Sequence, residues 1–315
     1  MCFLHYNSGL LSEKQQFVQN KRMKITAKNA LRALKRNWPE RKFPKSEISK
    51  YLKIYKNKII VIKYGGSTIE DKKMLNNFAK NICLIKSLGM KPIVVHGGAP
   101  QISKKLKENN LGTTFRDGLR VTNKKTLDIV KSILVNQVNP LLCEKISKYG
   151  GRTIGFKEIK NTIITGKPVN LKKYGLVGQP TKINKKKILK LLAQELIPVI
   201  APIGKNKKGQ ALNNNADTVT GFIANSLSAT RFLLLTNVKG VLNRDKKLIE
   251  QINTQEAKKL IKNKIIVGGM IPKVKTCIDA VKKNVQGVVI LDGLKKGAIL
   301  IELLTSRGSG TLIKK

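Results

Sequence analysis

Lys63 is the first residue whose type and place suggest chemistry. It closes the run Ile59-Ile60-Val61-Ile62 and is followed at once by Tyr64-Gly65-Gly66-Ser67. A cation beside backbone that glycine leaves open suits a phosphate. The bland alternative is a solvated lysine ahead of an ordinary glycine turn, and this segment alone does not separate the two. Lys273 raises the same question in Gly268-Gly269-Met270-Ile271-Pro272-Lys273-Val274. A glycine turn without a lysine lies between them, His96-Gly97-Gly98-Ala99-Pro100. His96 has two readings, a catalytic base or a structural hydrogen-bonder, and the second is favoured. In Gly118-Leu119-Arg120-Val121-Thr122 the arginine offers a planar fork for a carboxylate, against the plainer reading of a surface salt bridge. The run Asn213-Asn214-Asn215-Ala216-Asp217 is a poor strand and a poor helix. It reads as a loop leading into a helix start, with amide side chains free to bind and Asp217 in the first helical turn.

These residues need a frame. Four branched apolar residues before Lys63 read as a strand buried on both faces. Residues 71–88 read as an amphipathic helix with Met74, Phe78, Ile82, Ile85 and Leu88 on one side, ended by Gly89. Ile93-Val94-Val95 is a second buried strand, followed by a helix over about 100–110. Strand, helix, strand in this length is a βαβ unit, so both glycine turns fall on one edge of a parallel sheet. That edge, off the carboxyl ends of the strands, is where ligands of open α/β sheets sit. Further along, the pattern predicts helices over 124–148, 184–194, 254–262 and 274–283. Strands are expected at 196–201, 232–236 and 288–291, with a final pair of segments at Leu300–Leu304 and Thr311–Ile313. Gly150 to Thr181 reads as a hairpin-like region, rich in Gly and Lys. Ser46 to Asn57 reads as a helix capped by Ser46, with Ile48, Tyr51, Leu52 and Tyr55 in register. Residues 1–45 are basic, have few core-forming runs and are expected to be poorly ordered. Met23 is an alternative start. No lysine or arginine in residues 1–12 speaks against a secretory leader, and Glu13 and Glu40 against a transit peptide.

Composition narrows the classes. At 315 residues and 41% hydrophobic, the chain is long enough for one large domain or two lobes. No apolar run approaches the ~20 residues that span a bilayer, so no membrane association is expected. The four cysteines form no CxxC pair, which speaks against a disulfide framework or a zinc ribbon, and the presence of only two histidines excludes a multi-histidine metal site. GxxxxGK[ST] is absent, which excludes a P-loop. The net charge of +45 raises a nucleic-acid hypothesis. The excess is spread along the chain and is mostly lysine, whereas arginine is the better reader of bases and phosphates. A compositional bias with solvated faces is preferred, and the field still draws in small anions.

In order, Lys63-Tyr64-Gly65-Gly66, His96-Gly97-Gly98, Gly118 to Thr122, Asn213 to Asp217 and Gly268 to Val274 resemble the amino acid kinase family. Within it they are similar to the branch that phosphorylates N-acetyl-L-glutamate in arginine biosynthesis. The likeness runs from about residue 46 to 313. It implies an α/β fold, a three-layer αβα sandwich with a mainly parallel central sheet and two lobes. Residues 46–57 are then an N-terminal helix, 58–228 the acetylglutamate lobe and 229–315 the nucleotide lobe. The resemblance implies that ATP with Mg²⁺ is the phosphoryl donor. Lys63 and Lys273 take the catalytic role from opposite lobes, and Asp217 holds both. Gly98, Ala99, Arg120, Asn213 and Asn215 bind the acceptor. Gly65, Gly66, Asn237, Val238, Lys239, Gly240, Val241, Leu242, Gly268, Gly269 and Met270 line the nucleotide. The metal is held mainly by phosphates and water, with no protein metal ligand.

The resemblance also implies a homo-oligomer, a dimer or a ring hexamer built through the 46–57 helix. Arginine as effector and the PII signalling protein as partner are implied as well. The location implied is cytoplasmic, or the plastid stroma for an algal chain. Three positions depart from the family pattern. Ala99 stands where a third glycine is usual, Asn237 where an aspartate is usual, and Gly297 where arginine-inhibited members carry a histidine. The nearest alternative is a sister kinase for another acidic metabolite, such as an aminoadipate derivative, carbamate or aspartate. A non-catalytic nucleic-acid binder is the alternative from another class.

Overall fold

The computed structural model describes residues 27–37, 42–65, 68–156 and 162–315. Gly66 and Ser67 lie outside the described residues. Helix α1 (Ala27–Asn37) leads to α2 (Lys45–Tyr55), β1 (Ile59–Tyr64), α3 (Lys72–Ser87), β2 (Lys91–His96) and α4 (Ala99–Glu108). Next come β3 (Phe115–Arg116), β4 (Leu119–Arg120), α5 (Lys124–Lys131), a π-helical turn (Ser132–Val138) and α6 (Asn139–Lys148). The middle of the chain forms β5 (Thr153–Gly155), β6 (Ile164–Pro168), α7 (Leu171–Tyr174), β7 (Val177–Ile183), α8 (Lys185–Ala193), β8 (Ile197–Ile200), β9 (Ile203–Lys205) and β10 (Ala211–Asn214). The last part holds α9 (Ala216–Ser226), β11 (Arg231–Thr236), β12 (Gln251–Asn253), α10 (Thr254–Lys262), α11 (Met270–Lys282), β13 (Val288–Asp292), α12 (Ala298–Leu304) and β14 (Gly310–Lys314).

Eight strands make one sheet in the order β12-β14-β13-β11-β1-β2-β8-β5. From β11 to β5 every neighbouring pair is parallel, as is β11 with β13. β14 runs antiparallel to β13, with β12 parallel to β14. Helices cover both faces, and the expected mainly parallel αβα sandwich is what forms. β6, β7, β9 and β10 close a small barrel beside it. The expected lobe boundary at 228 falls in the turn between α9 and β11, and one continuous sheet runs across it.

Strand alternation decides which side chains meet which layer. Ile60, Ile62 and Tyr64 of β1 enter the core shared with α1, α2, α3, α6 and α12. Val61 enters the opposite core, shared with α8, α9 and α11. Lys63 has the parity of Val61, so its side chain goes to the face that α9 and α11 cover. Helix α3 starts where Asp71 accepts from the Lys73 and Met74 N–H groups at 2.7 and 3.1 Å. It buries Leu75, Phe78, Ala79, Asn81, Ile82 and Ile85, with Leu88 buried just past its end and Met74 only half buried.

Several expectations are corrected. Helix α1 folds within the basic segment expected to be poorly ordered, and its Ala30 and Leu34 are fully buried. Helix α2 is preceded by Pro44, and Ser46 sits inside it with no capping bond. Asn213 and Asn214 are in strand β10, not in a loop. They pair with Val177 and Gly178 on one side, and Asn213 with Ile203 on the other. Gly178 and Gly204 leave room for the Asn214 amide, where a Cβ on either would collide with it. Tertiary pairing overrides a poor intrinsic strand preference here. Leu300–Leu304 belongs to helix α12, buried at every position but Glu302, and so short an apolar run cannot be told from a buried strand by its periodicity. Among the described residues of Gly150 to Thr181, β6 and the first part of β7 form the antiparallel pair. β5 instead joins the edge of the main sheet beside β8.

Candidate active site

Lys63, Asp217 and Lys273 come from three elements that meet at the carboxyl edge of the sheet. Lys63 lies next to the end of β1, in register with Leu234 of β11 and Val95 of β2. Asp217 stands in the first turn of α9, which Asn215 caps by accepting from the Thr218 N–H at 3.0 Å. Lys273 stands in the first turn of α11, which packs beside α9. The Asp217 carboxylate is 3.1 Å from Lys63 Nζ through Oδ1 and accepts from Lys273 Nζ at 2.8 Å through Oδ2. Burial pushes the Asp217 carboxyl up, and the Lys63 and Lys273 ammonium groups outweigh that and bring it down to about 2. One negative charge thus holds two positive ones, and the cluster carries a surplus of one cation.

The other glycine turns border the same edge. A Cβ on Gly65 would sit 3.6 Å from Lys63 Nζ. The Gly97 N–H donates to the Tyr64 carbonyl at 2.9 Å, tying the turn after β2 to the end of β1. Gly98 precedes α4 and is buried, and a Cβ there would strike Leu134. Ala99 is exposed.

Arg120 is nearly buried, at 7% exposure, with no carboxylate partner among the described residues. Its guanidinium donates to the Ala99 carbonyl at 3.1 Å, Ser103 Oγ at 2.9 Å and Thr113 Oγ1 at 3.3 Å. All three acceptors are neutral. Burial pushes the guanidinium below its usual pKa, the mark of a desolvated and uncompensated cation. Asn213 joins it through Thr122: the Asn213 amide donates to Thr122 Oγ1 at 3.0 Å, and that hydroxyl donates to the Arg120 carbonyl at 2.6 Å. Asn215 is taken up as a helix cap. The hairpin carrying Arg120 is pinned at its tip. Asp117 accepts from Tyr174 Oη at 2.6 Å and from Lys173 Nζ at 2.8 Å. Thr122 and Ser103 were missed as site residues; an Arg-x-Thr spacing on a turn was the only signal for the first.

On the β11 side, Asn237, Val238 and Lys239 are exposed in the loop after the strand, while Gly240 and Val241 are buried and Leu242 half buried. Gly240 has φ +147°, with Thr311 crowding the place of a Cβ. The Val241 N–H donates to Thr311 Oγ1 at 2.8 Å, which anchors the loop to β14. Gly268 and Gly269 open onto empty space at the start of α11, Gly268 with φ +55°, and Met270 follows half buried. Exposed glycine backbone at a helix start is a natural cradle for phosphate.

His96 is fully buried, and burial pulls its imidazole down to about 4. It therefore stays neutral at physiological pH, which agrees with the structural reading of this residue. No cluster of three or more His, Cys, Asp or Glu that could hold a metal ion exists among the described residues. Nor is any helix among them long and apolar enough to cross a membrane.

Residues 58–292 match the Amino acid kinase family. The chain belongs to that family. The acetylglutamate kinase of Bradyrhizobium diazoefficiens is 43% identical over 282 residues, covering 86% of this chain and 96% of the relative. That of Pelagibacter ubique is 42% identical over 269 residues, covering 85% and 93%. Among solved structures, N-acetylglutamate synthase from Neisseria gonorrhoeae, complexed with coenzyme A and N-acetyl-glutamate, superposes with a TM-score of 0.79 at 22% identity. The match covers 86% of this chain and 62% of the synthase, so that likeness speaks for the fold alone. Family membership accounts for the order of the glycine turns along the chain, and the ion-paired lysines are their meeting point.

Proposed function

We infer that this chain transfers the γ-phosphoryl group of ATP to the side-chain carboxylate of N-acetyl-L-glutamate, forming N-acetyl-L-glutamyl 5-phosphate in arginine biosynthesis. The observation that carries this reading is the pair Lys63 and Lys273 converging on Asp217 at the open edge of the sheet. The acetylglutamate kinases that match over nearly their whole length support the choice of substrate.

The chemistry fits the groups present. The acceptor carboxylate has an ordinary pKa of ~4.3 and is already ionised at neutral pH. One of its oxygens attacks the γ-phosphorus, and the bond to the β–γ bridging oxygen breaks. The electron pair leaves with ADP, and no proton has to move. A general base is unnecessary, in keeping with a neutral, buried His96. The obstacle is the approach of an anion to a highly anionic triphosphate. Lys63 and Lys273 offset that charge as it gathers on the transferring group. Asp217, held well below the usual carboxylate range, stays ionised and orients both ammonium groups. Arg120 takes a substrate carboxylate, because its guanidinium has only neutral partners in the free protein. Asn213 supports the same end through Thr122.

Gly268, Gly269 and the 237–242 loop line the nucleotide, with Asn237 in place of an acidic neighbour. Asp217 is the carboxylate at the centre and is engaged by both lysines, so Mg²⁺ fits best as an ion carried by the phosphates and water. Its chemistry there is charge neutralisation on the triphosphate. Release of ADP dependent on both ATP and N-acetyl-L-glutamate is the decisive assay. Equal turnover with aspartate, carbamate or an aminoadipate derivative would overturn the substrate assignment. A homo-oligomer is part of the same reading, supported by the family likeness of the 46–57 segment; for arginine control the likeness at Glu302 speaks in favour and Gly297, in place of the histidine of arginine-inhibited members, speaks against. Light scattering and an arginine titration test them.

A further inference from the structure

His96 is not idle beneath the glycine turn that follows β2. The amide of Asn139 donates through Nδ2 to the Val199 carbonyl at 3.0 Å and faces His96 Nε2 at 3.1 Å. A carbonyl only accepts, so the NH₂ group of Asn139 must face Val199, and its second hydrogen is the one aimed at Nε2. The Asn139 Oδ1 points the other way, toward Cys143 Sγ at 3.9 Å and into the space that Gly155 leaves by having no Cβ. Nε2 is therefore an acceptor, and the ring proton resides on Nδ1. Nδ1 lies 3.0 Å from the Gly97 carbonyl and donates to it. Both His96 and Asn139 are fully buried, so water does not compete for these bonds. The proton on Nδ1 is the less common tautomer of a free imidazole, and Asn139 selects it.

The consequence lies in the next peptide plane. In a trans peptide the carbonyl of one residue and the N–H of the next point in opposite directions. With the Gly97 carbonyl drawn onto the imidazole, the Gly98 N–H must face away from the ring. The Gly97 N–H is held by Tyr64, so the turn is fixed at both ends. We propose that His96 is a positioning residue for the acceptor substrate: with the tautomer set by Asn139, it holds the Gly97–Gly98 peptide so that its N–H points at the bound acetylglutamate. Asn139 comes directly after the π-helical turn Ser132–Val138, whose Leu134 packs against Gly98. Such turns are frequent at functional sites, and here the residue that follows carries the amide that chooses the tautomer. The orienting role toward acetylglutamate rests on the function inferred above; the tautomer does not.

The chain has two histidines, so His5→Gln leaves a single imidazole to observe. Nitrogen-15 NMR of that variant near pH 7 should show a neutral ring with the proton on Nδ1. A proton on Nε2, or a cation, overturns the proposal. Kinetics supply the second arm. The amide nitrogen of an asparagine can stand where Nδ1 stands, and that of a glutamine where Nε2 stands. His96→Asn should therefore keep the Michaelis constant for acetylglutamate near the parent value, while His96→Gln raises it about tenfold, the worth of one misplaced hydrogen bond. The constant for ATP should stay unchanged in both. Equal losses in the two variants, or equal effects on both substrates, overturn the positioning role. Should His96→Gln fail to fold, the NMR arm still decides. A parent chain with the expected tautomer and no turnover of acetylglutamate would instead sink the assigned function and, with it, the orienting role.

Discussion

Lys63 and Lys273, from opposite ends of the chain, share one carboxylate: Asp217 sets Oδ1 3.1 Å from the first and Oδ2 2.8 Å from the second. Two ammonium groups this close would repel each other without it. Their side chains keep 11% and 23% exposure, so they are desolvated enough to act strongly and open enough to meet an anion.

Removing either lysine should slow the chemical step more than it weakens binding. For Lys63→Ala and Lys273→Ala, turnover is expected to fall at least about 100-fold, with Michaelis constants within about threefold of the parent. Steady-state kinetics with both substrates varied checks this. A change confined to the Michaelis constants would contradict the transition-state role.

Asp217 links the site to acid stability. Its carboxyl is held at about 2 in the fold, below its unfolded value of ~3.9. The unfolded chain therefore binds more protons between those values, and stability rises with pH across that window. The contribution is complete above about pH 4 to 5 and is lost as pH falls toward 2; it is on the order of 2.5 kcal/mol at neutral pH. Asp217→Asn should therefore be less stable than the parent at pH 7, and the gap should narrow as pH drops below 4. Urea denaturation of both proteins across that range measures it.

Arg120 presents a fork whose present partners are all neutral. Arg120→Lys keeps the charge and loses the planar pair of donors. The Michaelis constant for acetylglutamate should rise roughly tenfold to a hundredfold, with that for ATP unaffected. A parallel rise in both would place Arg120 outside the acceptor site.

The net charge of +45 acts on two anionic substrates. Raising ionic strength from about 0.02 to 0.3 M should lower kcat/KM for ATP several-fold while leaving kcat nearly constant. A salt series in the ADP-release assay tests this, and an unchanged kcat/KM would show that the field plays no part in capture.

The sequence alone determined most of the elements of the main sheet and their order. Ile59 to Ile62 is apolar at every position, so it had to be a strand buried on both faces, and Lys63 with Gly65 had to stand at its end. Period and punctuation also placed α3, β2 and β11. They placed Asp217 in a first helical turn as well, because a carboxylate is favoured there, whereas the capping role of Asn215, expected to bind the acceptor, came from the structure. These are local properties, set by backbone sterics and by the spacing of apolar side chains. Tertiary structure decided the rest. Asn213 and Asn214 became a strand only because Val177, Gly178 and Ile203 were there to pair with them. Leu300 to Leu304 forms a helix whose residues other than Glu302 are buried, and in so short an apolar run the spacing carries no signal. The tautomer of His96 depends on Asn139, and the orientation of the Asn139 amide on Val199, contacts between segments far apart in the chain. Such contacts are selected by packing and by the need to satisfy buried polar groups, and no local spacing encodes them.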